Sequence, residues 1–207
     1  MPSSITPPRV AVVGHTGLIG TQVAALLTAR GYDVVGATHE TDPAIDLAAP
    51  ESIARFFAME TVDHVVVAAG DARFAPFEEL RPEAFARGLA HKLMGQVTVA
   101  LEALRRLPSG GSVTLTSGAL AHTPIVGSAP VALVNGGIDS VVRALALEAP
   151  EGRRINAVSP GWIRETRVRM GLDPEGATSA AEVARLYLHA IESGASGRII
   201  GALHEAA

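Results

Sequence analysis

Residues 9–30 read RVAVVGHTGLIGTQVAALLTAR and contain the strongest indication of the fold in the chain. Residues 10–13 form a short apolar run that is typical of a buried parallel strand. Three glycines follow with the spacing G-x-x-G-x-x-G, at Gly14, Gly17 and Gly20. Apolar residues then recur at helical spacing, at Ile19, Val23, Leu26 and Leu27. The pattern therefore predicts a strand, a glycine turn and a helix.

A glycine turn between a strand and a helix is typical of a nucleotide site. Such glycines allow a tight turn, a close approach of the backbone to a pyrophosphate and close packing of the helix on the strand. The helix N-terminus then faces the anion. We therefore predict a cofactor site formed by Gly14, His15, Gly17, Leu18, Ile19 and Gly20. The alternative is a purely structural glycine turn.

Length and composition limit the classes of protein to consider. The chain has 207 residues, of which 48% are hydrophobic, and this suits one domain with a large core. A net charge of −4 without a basic cluster argues against a nucleic-acid or membrane surface. The absence of cysteine excludes disulfides and thiolate metal sites and suits a cytoplasmic protein, and we expect no metal site. We expect a flexible tail over residues 1–8 and a single domain over 9–207.

Strand and helix patterns alternate along the rest of the chain. Apolar strand patterns occupy residues 32–37, 63–69, 112–116, 154–158 and 197–201. Long helical patterns cover residues 82–107 and 130–148, and Ser179 with Glu182 forms a capping box for a last helix. This alternation predicts an α/β fold with a doubly wound, Rossmann-like parallel sheet of about six to seven strands. A further strand at residues 44–47 would lack its usual crossover helix, so either it is vestigial or the link is unusual.

The end of the second strand bears on the choice of cofactor. Many dinucleotide folds place an acid there to bind the ribose 2′-hydroxyl of NAD. This chain has Ala37, Thr38 and His39 instead. We therefore expect NADP(H) to be favoured over NAD(H), with His15 and His39 near a 2′-phosphate. The alternative is that both histidines are solvated loop residues.

Several motifs together resemble those of one family. They are the three glycines, Asp46-Leu47, Ala68-Ala69-Gly70, Thr116-Ser117, VVRALALE at 141–148 and INAVSPG at 155–161. Along nearly its whole length the chain resembles the short-chain dehydrogenase/reductase family. The resemblance implies that Asp46, followed by Leu47, contacts the adenine and that Ala69 and Gly70 line the ribose. It also implies that Pro160, Gly161 and Ile163 border the nicotinamide, and that Ser117 holds a substrate carbonyl.

The departures from the family pattern concern its catalytic Tyr-x-x-x-Lys. Counting back from Glu148, the Tyr position falls on Val131 and the Lys position on Asn135, while the family's helix Asn aligns with Lys92. Asn135 retains the ability to hydrogen-bond a ribose hydroxyl. Without the phenol we expect weakened acid catalysis, with Ser117, Lys92 and His122 as the candidate catalytic residues. The alternatives are a strand-end serine, a surface lysine and a loop histidine.

The expected function is an NADP(H)-dependent oxidoreductase of the short-chain type acting on a small carbonyl or alcohol substrate. Two alternatives stay open, which are a non-catalytic NADP(H)-binding sensor or scaffold and an isomerase or dehydratase on the same fold. The apolar helices at residues 82–107 and 130–148 resemble the family's dimer interface. We therefore expect a homodimer or homotetramer and no nucleic-acid or membrane partner.

Overall fold

Strand β1 (Arg9–Val13) lies inside the sheet, as its apolar run predicts, and four of its five residues are buried. The computed structural model describes residues 6–201. Within them a parallel sheet has the order β2-β1-β3-β4-β5-β6. The other strands are β2 (Asp33–Ala37), β3 (His64–Val67), β4 (Ser112–Thr116), β5 (Arg154–Val158) and β6 (Ile199–Ile200).

Helices cover both faces of this sheet. They are α1 (Leu18–Ala29), α2 (Pro50–Met59), α3 (Pro82–Gly88), α4 (Gly95–Arg106), α5 (Ala129–Glu148), α6 (Arg164–Arg169) and α7 (Ala180–Glu192). Alternate strand residues feed two cores, because successive side chains of a strand point to opposite faces. Ala11 and Val13 join the core under α2, α4 and α5, whereas Val10 and Val12 join the core under α1 and α7. The predicted fold class is confirmed, with six strands over the described residues.

Several predicted elements differ from the structure, and the strand predicted at residues 63–69 is limited to His64–Val67. Residues 44–47 form no strand, and the backbone N–H of Ile45 donates to the carbonyl of Thr38. No strand therefore pairs with the outer side of β2, which is an edge strand among the described residues. The long helix at 82–107 is interrupted by a π-helical turn, Leu89–Met94, between α3 and α4. The last strand is only two residues long. Residues 1–5 of the predicted tail lie outside the described residues.

Helix α5 is long and apolar enough to cross a membrane by length and hydropathy alone, and it is the one such helix found in residues 6–201. It packs against β4 and β5 and carries Asn135 and Asp139 on its buried side. Core helices of globular domains have the same composition, so the hydropathy of α5 is weak evidence for a membrane span.

Candidate functional site

A cavity of about 380 Å³ opens at the carboxyl ends of β1, β2 and β3, and we call it the glycine-turn cavity. Eight of the predicted cofactor residues line it, namely Gly14, Gly17, Thr38, His39, Asp46, Leu47, Ala69 and Gly70. The carboxyl ends of parallel strands are where open α/β sheets bind ligands. The sequence motifs thus converge on one cavity although they are spread over more than fifty residues.

The N-terminus of α1 is the part of this cavity that suits an anion. No side chain caps the helix, and its first turn carries no acid. Gly17 is the N-cap residue and is exposed at the cavity wall. Uncapped N–H groups and the helix dipole favour a phosphate at this point. The residues present therefore fit a dinucleotide pyrophosphate.

The glycines at the two ends of the turn are required by close contacts. Gly14 has φ +83°, and a β-carbon there would lie 2.8 Å from Cβ of Ala69. A β-carbon on Gly20 would lie 2.0 Å from the carbonyl oxygen of Gly14. Gly20 therefore packs against the backbone of Gly14 and does not line the cavity. Leu18 and Ile19 belong to the first turn of α1 and do not line the cavity either.

His15 is not part of the cavity lining. Its ring packs against Gly36 of β2, where an added β-carbon would lie 2.7 Å from the ring. His39 does line the cavity, next to Glu40, and its Nε2 lies 3.7 Å from the Glu40 carboxylate. Sequence reasoning missed Glu40, because it looked for an acid only at the end of β2, whereas Glu40 lies three residues beyond Ala37.

A second cavity of about 370 Å³ lies beside the ends of β4 and β5, and we call it the apolar cavity. Four more predicted cofactor residues are found here, namely Asn135, Pro160, Gly161 and Ile163. Leu120, Ile125 and Trp162 contribute apolar surface, and Phe74 stacks on Trp162 with a ring separation of 6.3 Å. The predicted cofactor residues are therefore divided between two cavities.

Lys92 lies between these two cavities. Its Cγ would be 2.7 Å from a β-carbon on Gly70, which lines the glycine-turn cavity. Its Nζ donates hydrogen bonds to Oδ1 of Asn135 at 2.7 Å and to the carbonyl of Ser117 at 3.2 Å. The π-helical turn carries Lys92, and such turns change the direction of the side chains they bear.

Burial alters the proton affinity of this lysine. Desolvation lowers the pKa of Lys92 to about 8 from 10.5, although the charges of Asp139 and Asp71 act in the opposite direction. Lys92 is also the only lysine in the chain, and every other fixed cation is an arginine. Arginine cannot be deprotonated in a protein, so among the lysine and arginine side chains of this protein only Lys92 can exchange a proton near neutral pH. This compositional signal was available in the sequence and was missed.

The pKa of Lys92 predicts how stability changes with pH. The folded protein releases this proton near pH 8, whereas the unfolded chain keeps it to about 10.5, so stability rises with pH in between. Relative to Lys92→Met, the wild-type free energy of unfolding should gain about 1.5–2 kcal/mol between roughly pH 7.5 and 9.5. Urea unfolding of both proteins measures this difference, and parallel pH curves would contradict it.

Ser117 follows β4 and is buried, with 3% of its surface exposed. Its Oγ has no hydrogen-bond partner among the described residues. A buried hydroxyl without a partner costs free energy, so this one is a candidate to bond a ligand, although Ser117 is not among the residues that line either cavity. Its carbonyl already accepts from Lys92, which brings two of the three candidate catalytic residues together.

His122 ends the short 3₁₀ turn Ala119–Ala121 and faces α5. Its Nε2 lies 2.8 Å from Oδ2 of Asp139, a carboxylate whose side chain is only 2% exposed. His122 does not line the apolar cavity, although its neighbours Leu120 and Thr123 do. Sequence reasoning missed Asp139, whose signal was an acid among the buried positions of an apolar helix.

Comparison with known proteins identifies the family. A family model described as Enoyl-(Acyl carrier protein) reductase matches residues 42–190. Versicolorin reductase 1 from Aspergillus parasiticus is 32% identical over 161 residues, which are 72% of this chain and 58% of that protein. The chain belongs to the short-chain dehydrogenase/reductase family. It spans little more than half the length of that reductase.

Solved structures of the family resemble this short-chain dehydrogenase/reductase closely. The protein lin1944 from Listeria innocua is 31% identical, with a TM-score of 0.88, over 94% of this chain and 99% of that one. A small-chain dehydrogenase in complex with NADPH is 27% identical, with a TM-score of 0.83, over 94% of this chain and 96% of that one. The matched family model begins after the glycine turn, so the interpretation of that turn depends on its own geometry.

This short-chain dehydrogenase/reductase has two tyrosines, and both lie away from the apolar cavity. Tyr187 of α7 is fully buried, and its hydroxyl lies 2.6 Å from Oγ1 of Thr116. Burial raises the pKa of Tyr187 well above its ordinary value. Tyr32 packs edge-on against His64, at the amino end of β3. Neither phenol lines the cavity beside Lys92 and Ser117.

Proposed function

We propose that this protein is a nicotinamide-dependent oxidoreductase that interconverts a carbonyl and an alcohol on a small, largely apolar substrate. The glycine-turn cavity would hold the adenine, ribose and pyrophosphate of the dinucleotide, and the apolar cavity would hold its nicotinamide with the substrate beside it. The observation that carries the proposal is the position of Lys92, with its stem against Gly70 of one cavity and its Nζ on Asn135 of the other.

Different residues would bind different parts of the dinucleotide. The N-terminus of α1 takes the pyrophosphate, Asp46 and Leu47 take the adenine, and Ala69 and Gly70 take the ribose. Asn135, Pro160, Gly161 and Ile163 border the nicotinamide, which supplies or accepts a hydride when it is bound. The pyrophosphate would be held by backbone N–H groups at the N-terminus of α1 and in the glycine turn. Glycine has no side chain, so the phosphates can approach this backbone closely.

We extend the proposal to NADP(H) rather than NAD(H). The support is the neutral end of β2 at Thr38, together with a structural relative whose complex contains NADPH. Glu40 acts against a 2′-phosphate, and His39 beside it offsets that charge when protonated. The two histidines differ in position, since His39 lines the cavity whereas His15 packs against Gly36 of β2.

Proton transfer is then the task of Lys92. In the direction of reduction, the ammonium gives a proton from Nζ to the substrate oxygen. Ser117 donates its Oγ hydrogen to the same oxygen, and the amide of Asn135 keeps Nζ in place. An amine with a pKa near 8 is well matched to this step near neutral pH.

A panel of small aldehydes and ketones with NADPH tests this function. We expect oxidation of NADPH with apolar carbonyl compounds, and Ser117→Ala should lower turnover about 10- to 100-fold, because it removes one hydrogen bond to the reacting oxygen. Thr114→Val, which removes another buried hydroxyl without a partner among the described residues, is the matched control. Tight NADPH binding without any turnover would favour the sensor alternative, and turnover without change at the nicotinamide absorbance would favour an isomerase.

We also propose that the protein is a homo-oligomer through the helices at residues 82–107 and 130–148. Met94, Leu133 and Leu147 on these helices are large apolar side chains exposed by 54%, 49% and 89%. Exposed apolar side chains on adjacent helices are typical of an oligomer interface. Sedimentation equilibrium should give a dimer or tetramer at micromolar concentration, whereas a monomer would contradict the proposal.

A further inference from the structure

Asp139 is a buried carboxylate for which the proposed chemistry so far has no use. It lies one helical turn after Asn135 on α5, so both side chains share a face. Oδ2 bonds His122, whereas Oδ1 is buried and has no hydrogen-bond partner among the described residues. An orphaned carboxylate oxygen in a protein interior is costly, and a water molecule or a proton at that atom removes the cost.

The same carboxylate acts on Lys92. Two acids influence the ammonium, namely Asp139 from α5 and Asp71 from the loop after β3. The carboxylate of Asp71 is half-exposed and paired with Arg87 at 2.8 Å, so its charge is largely compensated. Asp139 makes its one ion pair among the described residues with His122, whose Nε2 lies 2.8 Å from Oδ2. Asp139 therefore contacts His122 on one side and favours the charged form of Lys92 on the other.

We propose that Asp139 and His122 form a proton path that joins Lys92 to solvent. This inference rests on the proposed function, in which Lys92 gives up one proton in each turnover. His122, whose side chain is 37% exposed, takes a proton from bulk water or a buffer acid. Asp139 takes the proton at Oδ2 and, after a half-turn of its carboxyl group, releases it through water to the neutral amine of Lys92. One solvent proton thus replaces the one transferred to the substrate oxygen, and no electrons move.

The link between Asp139 and Lys92 can be measured without any substrate. Because Lys92 is the only lysine, the pH dependence of its acetylation by acetic anhydride, followed by mass spectrometry, reports one side chain. In Asp139→Asn the midpoint should fall by about one pH unit, since a charge that favours the ammonium is lost. Asp71→Asn, the matched control, should move it by much less. Equal shifts in the two variants, or no shift in Asp139→Asn, would overturn the link.

The path itself is tested by buffer rescue of turnover. In His122→Gln the reduction rate should fall and then rise several-fold with imidazole concentration, because a soluble acid replaces the lost side chain. The wild type should not respond to imidazole. A His122→Gln rate that equals the wild type, or that imidazole does not raise, would overturn the path. If Asp139→Asn does not fold, the imidazole experiment still tests the path, because His122 is partly exposed and its replacement should leave the fold intact. If no carbonyl is reduced while the acetylation midpoint shifts as expected, the proposed function fails and the link stands.

Discussion

Lys92→Met should lower kcat/KM for carbonyl reduction by about 10²- to 10⁴-fold, because it removes the group that we propose protonates the substrate oxygen. The wild-type rate should also fall above pH 8, the region in which Lys92 loses its proton. The residual rate of Lys92→Met should not show this fall above pH 8. Steady-state kinetics between pH 6 and 10 measure both effects.

Lys92→Arg separates proton transfer from charge. Arginine keeps the positive charge and donates hydrogen bonds, but it does not release a proton at these pH values. We therefore expect Lys92→Arg to bind the cofactor within a few-fold of the wild type while losing most of the turnover. Full activity in Lys92→Arg would show that Lys92 acts only through its charge.

Gly17→Asp should weaken cofactor binding by at least about 100-fold, because a carboxylate at the N-terminus of α1 repels the pyrophosphate. The fold should tolerate the change with a small shift of the turn, because a β-carbon on Gly17 would lie 3.3 Å from the carbonyl oxygen of Gly14. Gly17 has φ −75° and ψ 168°, which is ordinary for an N-cap residue, and its position is exposed. An aspartate there should cap the uncapped helix and raise the free energy of unfolding by a few tenths of a kcal/mol, because glycine is already an acceptable N-cap residue.

Gly17→Asn is the matched control for this variant. Asparagine caps a helix about as well as aspartate and has almost the same shape, but it carries no charge. We expect it to stabilise the fold while retaining most of the cofactor affinity. Isothermal titration with NADPH, together with thermal unfolding, measures both quantities. Equal affinities for the two variants would contradict a pyrophosphate at α1.

The sequence predicted the sheet well because the signals for its strands are local. Residues 10–13 and 112–116 are apolar runs bounded by turn residues, and the alternation of such runs with helical patterns indicated a parallel sheet. The segment at residues 44–47 was harder. Its apolar residues resemble a strand, but a hydrogen bond from Ile45 back to Thr38 folds it into the cavity wall. No local pattern distinguishes these two uses.

The candidate site was predictable only in part, for a similar reason. The glycine turn and Ser117 are visible as short motifs. The meeting of Lys92 with Asn135 depends on a π-helical turn and on the packing of two helices more than forty residues apart in sequence. His122 was a candidate because it closely follows Ser117 in the sequence. Its partner Asp139 lies 17 residues further along the chain. Such contacts follow from tertiary packing and not from spacing.

We propose that a nicotinamide dinucleotide spans the two cavities and reaches the wall at Trp162. This residue is the only tryptophan in the chain and lines the apolar cavity next to Pro160 and Gly161. Titration with NADPH and with NADH should quench its fluorescence and transfer energy to the reduced nicotinamide, with tighter binding of NADPH. Failure of the folded protein to respond to either dinucleotide would contradict the claim.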